Sequence, residues 1–267
     1  MIVDAHAHFL TDLSGRADWR DVNYSRLRAG GLMRIDFHVA SILGSWGHTS
    51  PTYFPSPTDV THANSRLLEL IAEHPETLRG YCVVNPNYTE HALGELRKCF
   101  SAGMIGVKLA ASRRVTDRLL DPIAEFAAER RAPVLQHIWQ RRRRDWPGQE
   151  ASDAVELVNL ARRHPQTIFI LAHLGGGGDW SHSLRAVRRQ ENVIVELSGS
   201  GVDTEMLEQT IDAVGVERML WGSDVTMDTG LAKLRYLETL GLGSGAIERL
   251  TSGTARAIFP EGSFPSR

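Results

Sequence analysis

Cysteine is scarce in this chain: Cys82 and Cys99 are the only two in 267 residues. Two are too few for a disulfide framework, and their spacing suits no zinc knuckle. Both read as small buried or half-buried side chains in a reducing compartment. Long apolar runs are missing as well, and none approaches the roughly 18 residues that a membrane helix needs. The N-terminus has no basic stretch leading into an apolar core, so a secretory leader is not expected. A strong charge of either sign is also lacking, since the formal net charge is −2. Nucleic acid and membranes are therefore not expected as partners. There is no repeat at a solenoid period and no low-complexity tract. What remains is a cytoplasmic protein, one domain over residues 1–267, acting on a small molecule. A homodimer is expected only because homodimers are common.

What the chain does have is alternation. Apolar, β-branched segments occur at Ile2–His6, Arg34–Leu43, Tyr81–Val84, Ile105–Leu109, Val134–Ile138, Ile168–Ala172, Val193–Leu197 and Met219–Trp221. Between them lie stretches with helical spacing of apolar residues: Asp21–Ala29, Asp59–His74, Glu90–Ala102, Asp117–Arg130, Asp153–His164, Ser181–Arg189 and Thr204–Val214. Two more, Leu231–Leu240 and Gly245–Ile258, close the chain. Strand-then-helix repetition over this length predicts an α/β fold, a parallel closed (β/α)8 TIM barrel. The longer irregular stretches, Thr11–Arg20, Gly44–Pro57 and Gln140–Ala151, all follow strands. In such a barrel they rise over the C-terminal face, where active sites are built.

The first strand ends in His6-Ala7-His8. Residues i and i+2 of a strand point to one face, so two imidazoles stand side by side. His137, His173 and Asp224 each end, or sit just past, a later strand. A catalytic zinc-type site needs three or four protein ligands and an open position, and these five residues share one rim. The remaining histidines, among them His38, His48, His62, His74, His91, His164 and His182, read as satisfied polar side chains.

The order His-x-His, Lys, His, His, Asp on strands one, four, five, six and eight resembles the amidohydrolase superfamily. The local sequence is similar to its amidohydrolase-related branch, which includes aminocarboxymuconate-semialdehyde decarboxylase-like enzymes. The matching segments are Val3–His8, Gly106–Leu109, Leu171–Gly176, Leu220–Asp224 and the closing Thr254–Phe259, where Thr254 replaces the usual asparagine. The resemblance implies that His6, His8, His137 and Asp224 ligate a first divalent metal, with zinc the default and one ion favoured over two. His173 then orients substrate or water and shuttles a proton, or becomes a ligand if there are two ions. Asp224 both touches the metal and takes a proton from water. Lys108 is a carboxylated bridge in a two-metal site, or an amine that binds an anionic substrate or pairs with Asp224. Where the family often continues Lys-Leu-His-Pro, this chain reads Lys108-Leu109-Ala110-Ala111.

A metal-held water with its pKa brought toward neutrality attacks a polarised carbonyl, so hydrolysis of an amide, ester or lactone is the first expectation. Non-oxidative decarboxylation on the same site is the alternative. Characterised decarboxylases of the branch tend to be longer, which favours hydrolysis. A metal-free lactonase and a non-catalytic binding protein are the more distant readings. In the Arg141–Arg144 run, Arg141 is a candidate clamp for a substrate carboxylate, and Arg113 and Arg114 are weaker ones. Trp46, Tyr53, Trp139 and Trp146 are candidates to line the substrate pocket. Ser198 and Ser200 are weaker substrate contacts. Gly175–Gly178 reads as a tight turn beside the rim rather than a phosphate loop, since no P-loop lysine follows it.

Overall fold

The computed structural model describes residues 1–139, 149–174, 179–199, 201, 203–225 and 227–265. Eight strands run in chain order around one parallel sheet. They are β1 (Val3–His8), β2 (Phe37–Ser41), β3 (Leu78–Val84), β4 (Gly106–Leu109), β5 (Val134–Gln136), β6 (Phe169–Leu171), β7 (Val193–Glu196) and β8 (Met219–Leu220). The helices between them are α1 (Trp19–Leu32), α2 (Pro57–Glu73), α3 (Thr89–Ser101), α4 (Asp121–Glu129), α5 (Ala154–Arg163), α6 (Trp180–Val187) and α7 (Met206–Val214). After β8 come α8 (Met227–Thr239), α9 (Ser244–Glu248) and α10 (Thr254–Ile258). The circle closes where Ala5 N–H donates to Trp221 O at 3.1 Å and Asp224 N–H donates to His6 O at 2.6 Å. This is the (β/α)8 barrel that the alternation predicts. Among the described residues no helix is long and apolar enough to cross a membrane.

Local chemistry sets the boundaries. Ser56 caps α2 by accepting from Asp59 N–H, with proline in the first turn. Asp153 and Glu156 form a reciprocal capping box at the start of α5. Arg34 lies outside β2 because it adopts φ 59° in the turn that ends α1. Asp117 does not open a long helix as the sequence suggests. It caps a short 3-10 turn, Arg118–Leu120, and α4 starts afresh at Asp121 beside Pro122. The expected last helix is interrupted by a π-helical turn, Arg249–Gly253.

Two apolar layers result. Inside the barrel, Val3, Ala5, Phe37, Val39, Leu135, Ile170, Ile194 and Leu220 pack over Phe259 and Phe264. The outer layer joins the other strand face to the helices and takes in Ala7, Phe9, Val107, Leu171 and Trp221. Ala5 belongs to the inner layer and Ala7 to the outer one because β1 is bulged: its register on β2 shifts between Asp4 and Ala7. The bulge re-aims the strand. Below it apolar residues fill the barrel; above it His6 and His8 do. Both cysteines are free and buried.

Asp121 ties α4 to the end of α5. It accepts from His164 Nε2 at 2.8 Å, Arg163 Nη2 at 2.7 Å and Arg118 Nη1 at 3.1 Å. Burial pushes its carboxyl up, but the bonds from His164, Arg163 and Arg118 outweigh this and hold it down to about 2. A carboxyl depressed in the folded state stabilises above its unfolded pKa of about 4, and that stabilisation fades as pH falls toward 2. Asp121→Asn is therefore expected to cost about 1 kcal/mol at neutral pH after solvent screening. The gap to the wild type should narrow below about pH 4. Urea denaturation at pH 7 and pH 3 checks this, and a gap that does not depend on pH would contradict it.

Candidate metal centre and active site

His6 and His8 lie above the bulge, both buried, with their Nε2 atoms 3.1 Å apart. Asp224, just past β8, brings Oδ1 to 3.8 Å from His6 Nε2 and 3.4 Å from His8 Nε2. The donor atoms of these three residues lie within 4.8 Å of one another. His173, past β6, approaches Asp224 Oδ2 through Nδ1 at 3.1 Å. His137, past β5, meets His173 Nε2 through Nδ1 at 2.9 Å. The structure thus brings all five candidates to one rim. His137 joins the cluster through His173 and stands outside the tight His6–His8–Asp224 group.

The electrostatics suit cation binding. Burial, with Lys108 close by, holds His6 well below the usual imidazole range. Burial also brings His8 down to about 4, against the pull of Asp224. His137 is likewise well below its usual range through burial and the neighbouring His173. Neutral imidazoles offer lone pairs at physiological pH. Burial pushes the Asp224 carboxyl up, but His173, His6 and His8 outweigh this and keep it far below the carboxylate range, so it is ionised. Lys108 is fully buried at the end of β4, and its Nζ donates to His6 Nε2 at 3.0 Å. Burial lowers it to about 8. Its ammonium therefore competes for the His6 lone pair that a metal would take.

Several residues around the site were not singled out in the sequence. Asp4 sits below the bulge on the outer face. Its carboxylate accepts from His6 N–H (3.2 Å), His38 Nδ1 (2.8 Å), Ser223 N–H (2.9 Å) and Ser223 Oγ (2.6 Å). This explains the burial of His38 and stitches the bulge to the loop that carries Asp224. Arg26, on α1, donates to the carbonyls of Asp224 and Val225. Asp224 adopts φ 61° and His173 φ 62°, left-handed backbone that L-residues seldom take without such support. Glu196, at the end of β7, is completely buried against His6. Lys233 reaches in from α8 to donate to Gly199 O at 2.5 Å.

The site opens into a cavity of about 300 Å³. Trp46, Tyr53 and Trp139 wall it together with Leu43 and Ile138, and His8, His137, His173 and Asp224 face it. Tyr53 and Trp139 flank the His137 ring at centroid distances of 5.1 and 5.0 Å. Trp46 stands edge-on to His8 at 5.6 Å. Arg113 and Arg114 are taken up by ion pairs with Asp117 and Glu156. Ser198 turns away from the cavity and binds Glu196. Arg141 with its neighbours Arg142–Arg144, Trp146, the Gly175–Gly178 run and Ser200 lie outside the described residues.

A parallel barrel that gathers a His-x-His pair, two further imidazoles, a lysine and an aspartate at its strand ends defines the enzyme class of the amidohydrolase superfamily. The family model described as Amidohydrolase matches residues 3–260, and the chain belongs to that family. Among solved structures it is similar to the 5-carboxyvanillate decarboxylase of Sphingomonas paucimobilis (TM-score 0.70, 16% identity, 97% of this chain and 98% of that one). It is also similar to a dihydroxybenzoic acid decarboxylase of a Polaromonas species, solved with manganese and 2-nitroresorcinol (TM-score 0.74, 16% identity, 96% of each chain). A third is the 4-oxalomesaconate hydratase of Rhodopseudomonas palustris (TM-score 0.66, 16% identity, 97% and 95%). At these identities the likeness is one of fold. No curated protein matches the chain.

Proposed function

We propose that this protein is a metal-dependent, non-oxidative decarboxylase of a small planar carboxylic acid. The observation that carries the reading is the cavity, where two tryptophans and a tyrosine stand over the histidine and aspartate cluster. Walls of this kind suit a flat, conjugated substrate. The similar decarboxylases of hydroxylated aromatic acids lend support, as does the manganese in one of them. Hydrolysis, the first expectation from the sequence, takes second place.

The residues fit a divalent ion. Among the described residues His137 Nε2 is buried without a hydrogen-bond partner, a cost that ligation would remove. His6, His8, His137 and Asp224 would hold the ion, and imidazole with carboxylate suits zinc and manganese alike. One ion suffices for this reading, held at the tight His6–His8–Asp224 group with His137 beside it. When bound, such an ion supplies positive charge beside the substrate's carboxylate and neighbouring oxygen, easing the development of negative charge on the conjugated system. Trp46, Tyr53 and Trp139 orient the flat substrate and exclude water. His173, which faces the cavity and meets Asp224 Oδ2 through Nδ1 at 3.1 Å, is the group placed to hand a proton to substrate. As the carbon–carboxylate bond breaks, that proton goes to the same carbon, carbon dioxide leaves, and His173 is reprotonated from solvent.

The test is a panel of hydroxybenzoates and related conjugated acids given to metal-loaded enzyme in deuterium oxide. The expected result is carbon dioxide release matched by one deuterium at the vacated carbon. Cleavage of lactones or N-acyl compounds with no carbon dioxide from any acid would return the chain to the hydrolases.

A further inference from the structure

Glu196 is the carboxylate that the ligand set leaves unexplained. It ends β7, inside the barrel, with no exposed surface. Its Oε2 accepts from His6 Nδ1 at 2.9 Å, Ser198 Oγ at 2.6 Å and His173 N–H at 3.1 Å. Its Oε1 accepts from Ser198 N–H at 2.6 Å. A carboxylate offers about four lone-pair sites, so four donors leave little for anything else. Although His6, His173 and Glu196 lie close enough to form a second metal group, an ion there would have to displace Ser198 and strip the proton from His6 Nδ1.

The same bonds dictate the state of His6. An acceptor at Nδ1 requires the proton to be on Nδ1, which leaves Nε2 as the lone pair. That lone pair faces His8 Nε2, Asp224 and the Lys108 ammonium, which donates to it. Gly222 makes room for the arrangement: a Cβ there would stand 2.5 Å from Glu196 Oε1 and 2.8 Å from His6 Cβ. The buried ammonium groups of Lys108 and Lys233 supply compensating charge.

We propose that Glu196 is a positioning residue that locks His6 into the Nδ1-protonated tautomer and one ring orientation, so that Nε2 is aimed at a divalent ion. The proposal rests on the reading that His6 ligates that ion. A carboxylate behind a ligating histidine raises its basicity and fixes its geometry, and removing such a partner typically weakens metal binding about 10- to 100-fold.

Two measurements test it. Long-range proton–nitrogen correlation spectra of metal-free wild type, labelled with nitrogen-15 histidine, should show His6 protonated on Nδ1. Competition between the protein and a chromophoric chelator for Zn²⁺ should show Glu196→Gln and Glu196→Ala weaker than wild type by about 10- to 100-fold. In Glu196→Gln the His6 signals should shift toward mixed tautomers, which a purely structural role would not produce. A folded Glu196→Gln that binds Zn²⁺ as tightly as wild type would overturn the proposal while leaving the metal reading intact. Wild-type His6 protonated on Nε2 would overturn it as well, and that spectrum decides the matter even if neither variant folds. Wild type that binds no Zn²⁺ would remove the metal reading, and this proposal with it.

Discussion

Changing both His6 and His8 to alanine is expected to give a folded barrel that retains no divalent ion and loses activity by about a thousandfold or more, the several kcal/mol that a catalytic ion supplies. Two facing imidazole nitrogens disappear together, leaving of the four proposed ligands only Asp224 and His137, which both contact His173. Two donors are fewer than the three that catalytic sites of this type use. The fold should survive, because the layer below the bulge is apolar and independent of either ring. A lower melting temperature is nonetheless expected, since Glu196 loses its His6 donor and Ser41 its bond to His8. Elemental analysis of protein purified without chelator, with circular dichroism for the fold, gives the readout. A double variant that keeps wild-type metal content and turnover would mean that the chemistry lies elsewhere.

Gly222→Ala should be nearly as severe, although the residue holds no functional group. The added methyl would sit 2.5 Å from Glu196 Oε1 and 2.8 Å from His6 Cβ. Neither neighbour can yield freely. Glu196 is fixed by four donors, and the His6 Cβ is part of a strand whose carbonyl accepts from Asp224 N–H. Overpacking of this kind costs about 1–3 kcal/mol. Here the displacement falls on a candidate metal ligand, so activity should drop by roughly a hundredfold, as misplacement of a reacting group by about 1 Å does. Thermal denaturation and Zn²⁺ affinity measured together check this. A variant with wild-type values for both would show that β7, β1 and the loop after β8 are less tightly packed than described.

The barrel was legible because its signal is repeated eight times, and no single strand had to be read correctly. The clustering of His6, His8, His137, His173 and Asp224 at one rim was legible because each ends or follows an apolar run. The bulge was not, since two apolar-flanked alanines, Ala5 and Ala7, look alike in sequence. Strict alternation would put Asp4 on the face of His6 and His8; the bulge sends it outward to His38 and Ser223 instead. Glu196 was missed for another reason. One carboxylate at a strand end matches no spacing rule, and its meaning comes from a partner 190 positions away. Lys233 gives no hint either, because a lysine on a helix ordinarily faces solvent. The sequence suggests Ser198 as a weak substrate contact, whereas its hydroxyl donates to the buried Glu196. Helix limits shifted where caps intervened, as at Asp117 and Asp121.

The closing junction between β8 and β1 has one more implication. β8 is only two residues long, and its join to β1 runs through Ala5, His6, Trp221 and Asp224. The two ends of the circle therefore meet at His6 and Asp224, two of the candidate metal ligands. Assembly of the pocket and completion of the ring become one event, so a partly wound intermediate would possess neither. Catalytic competence would then report on whether the last turn of the chain has docked.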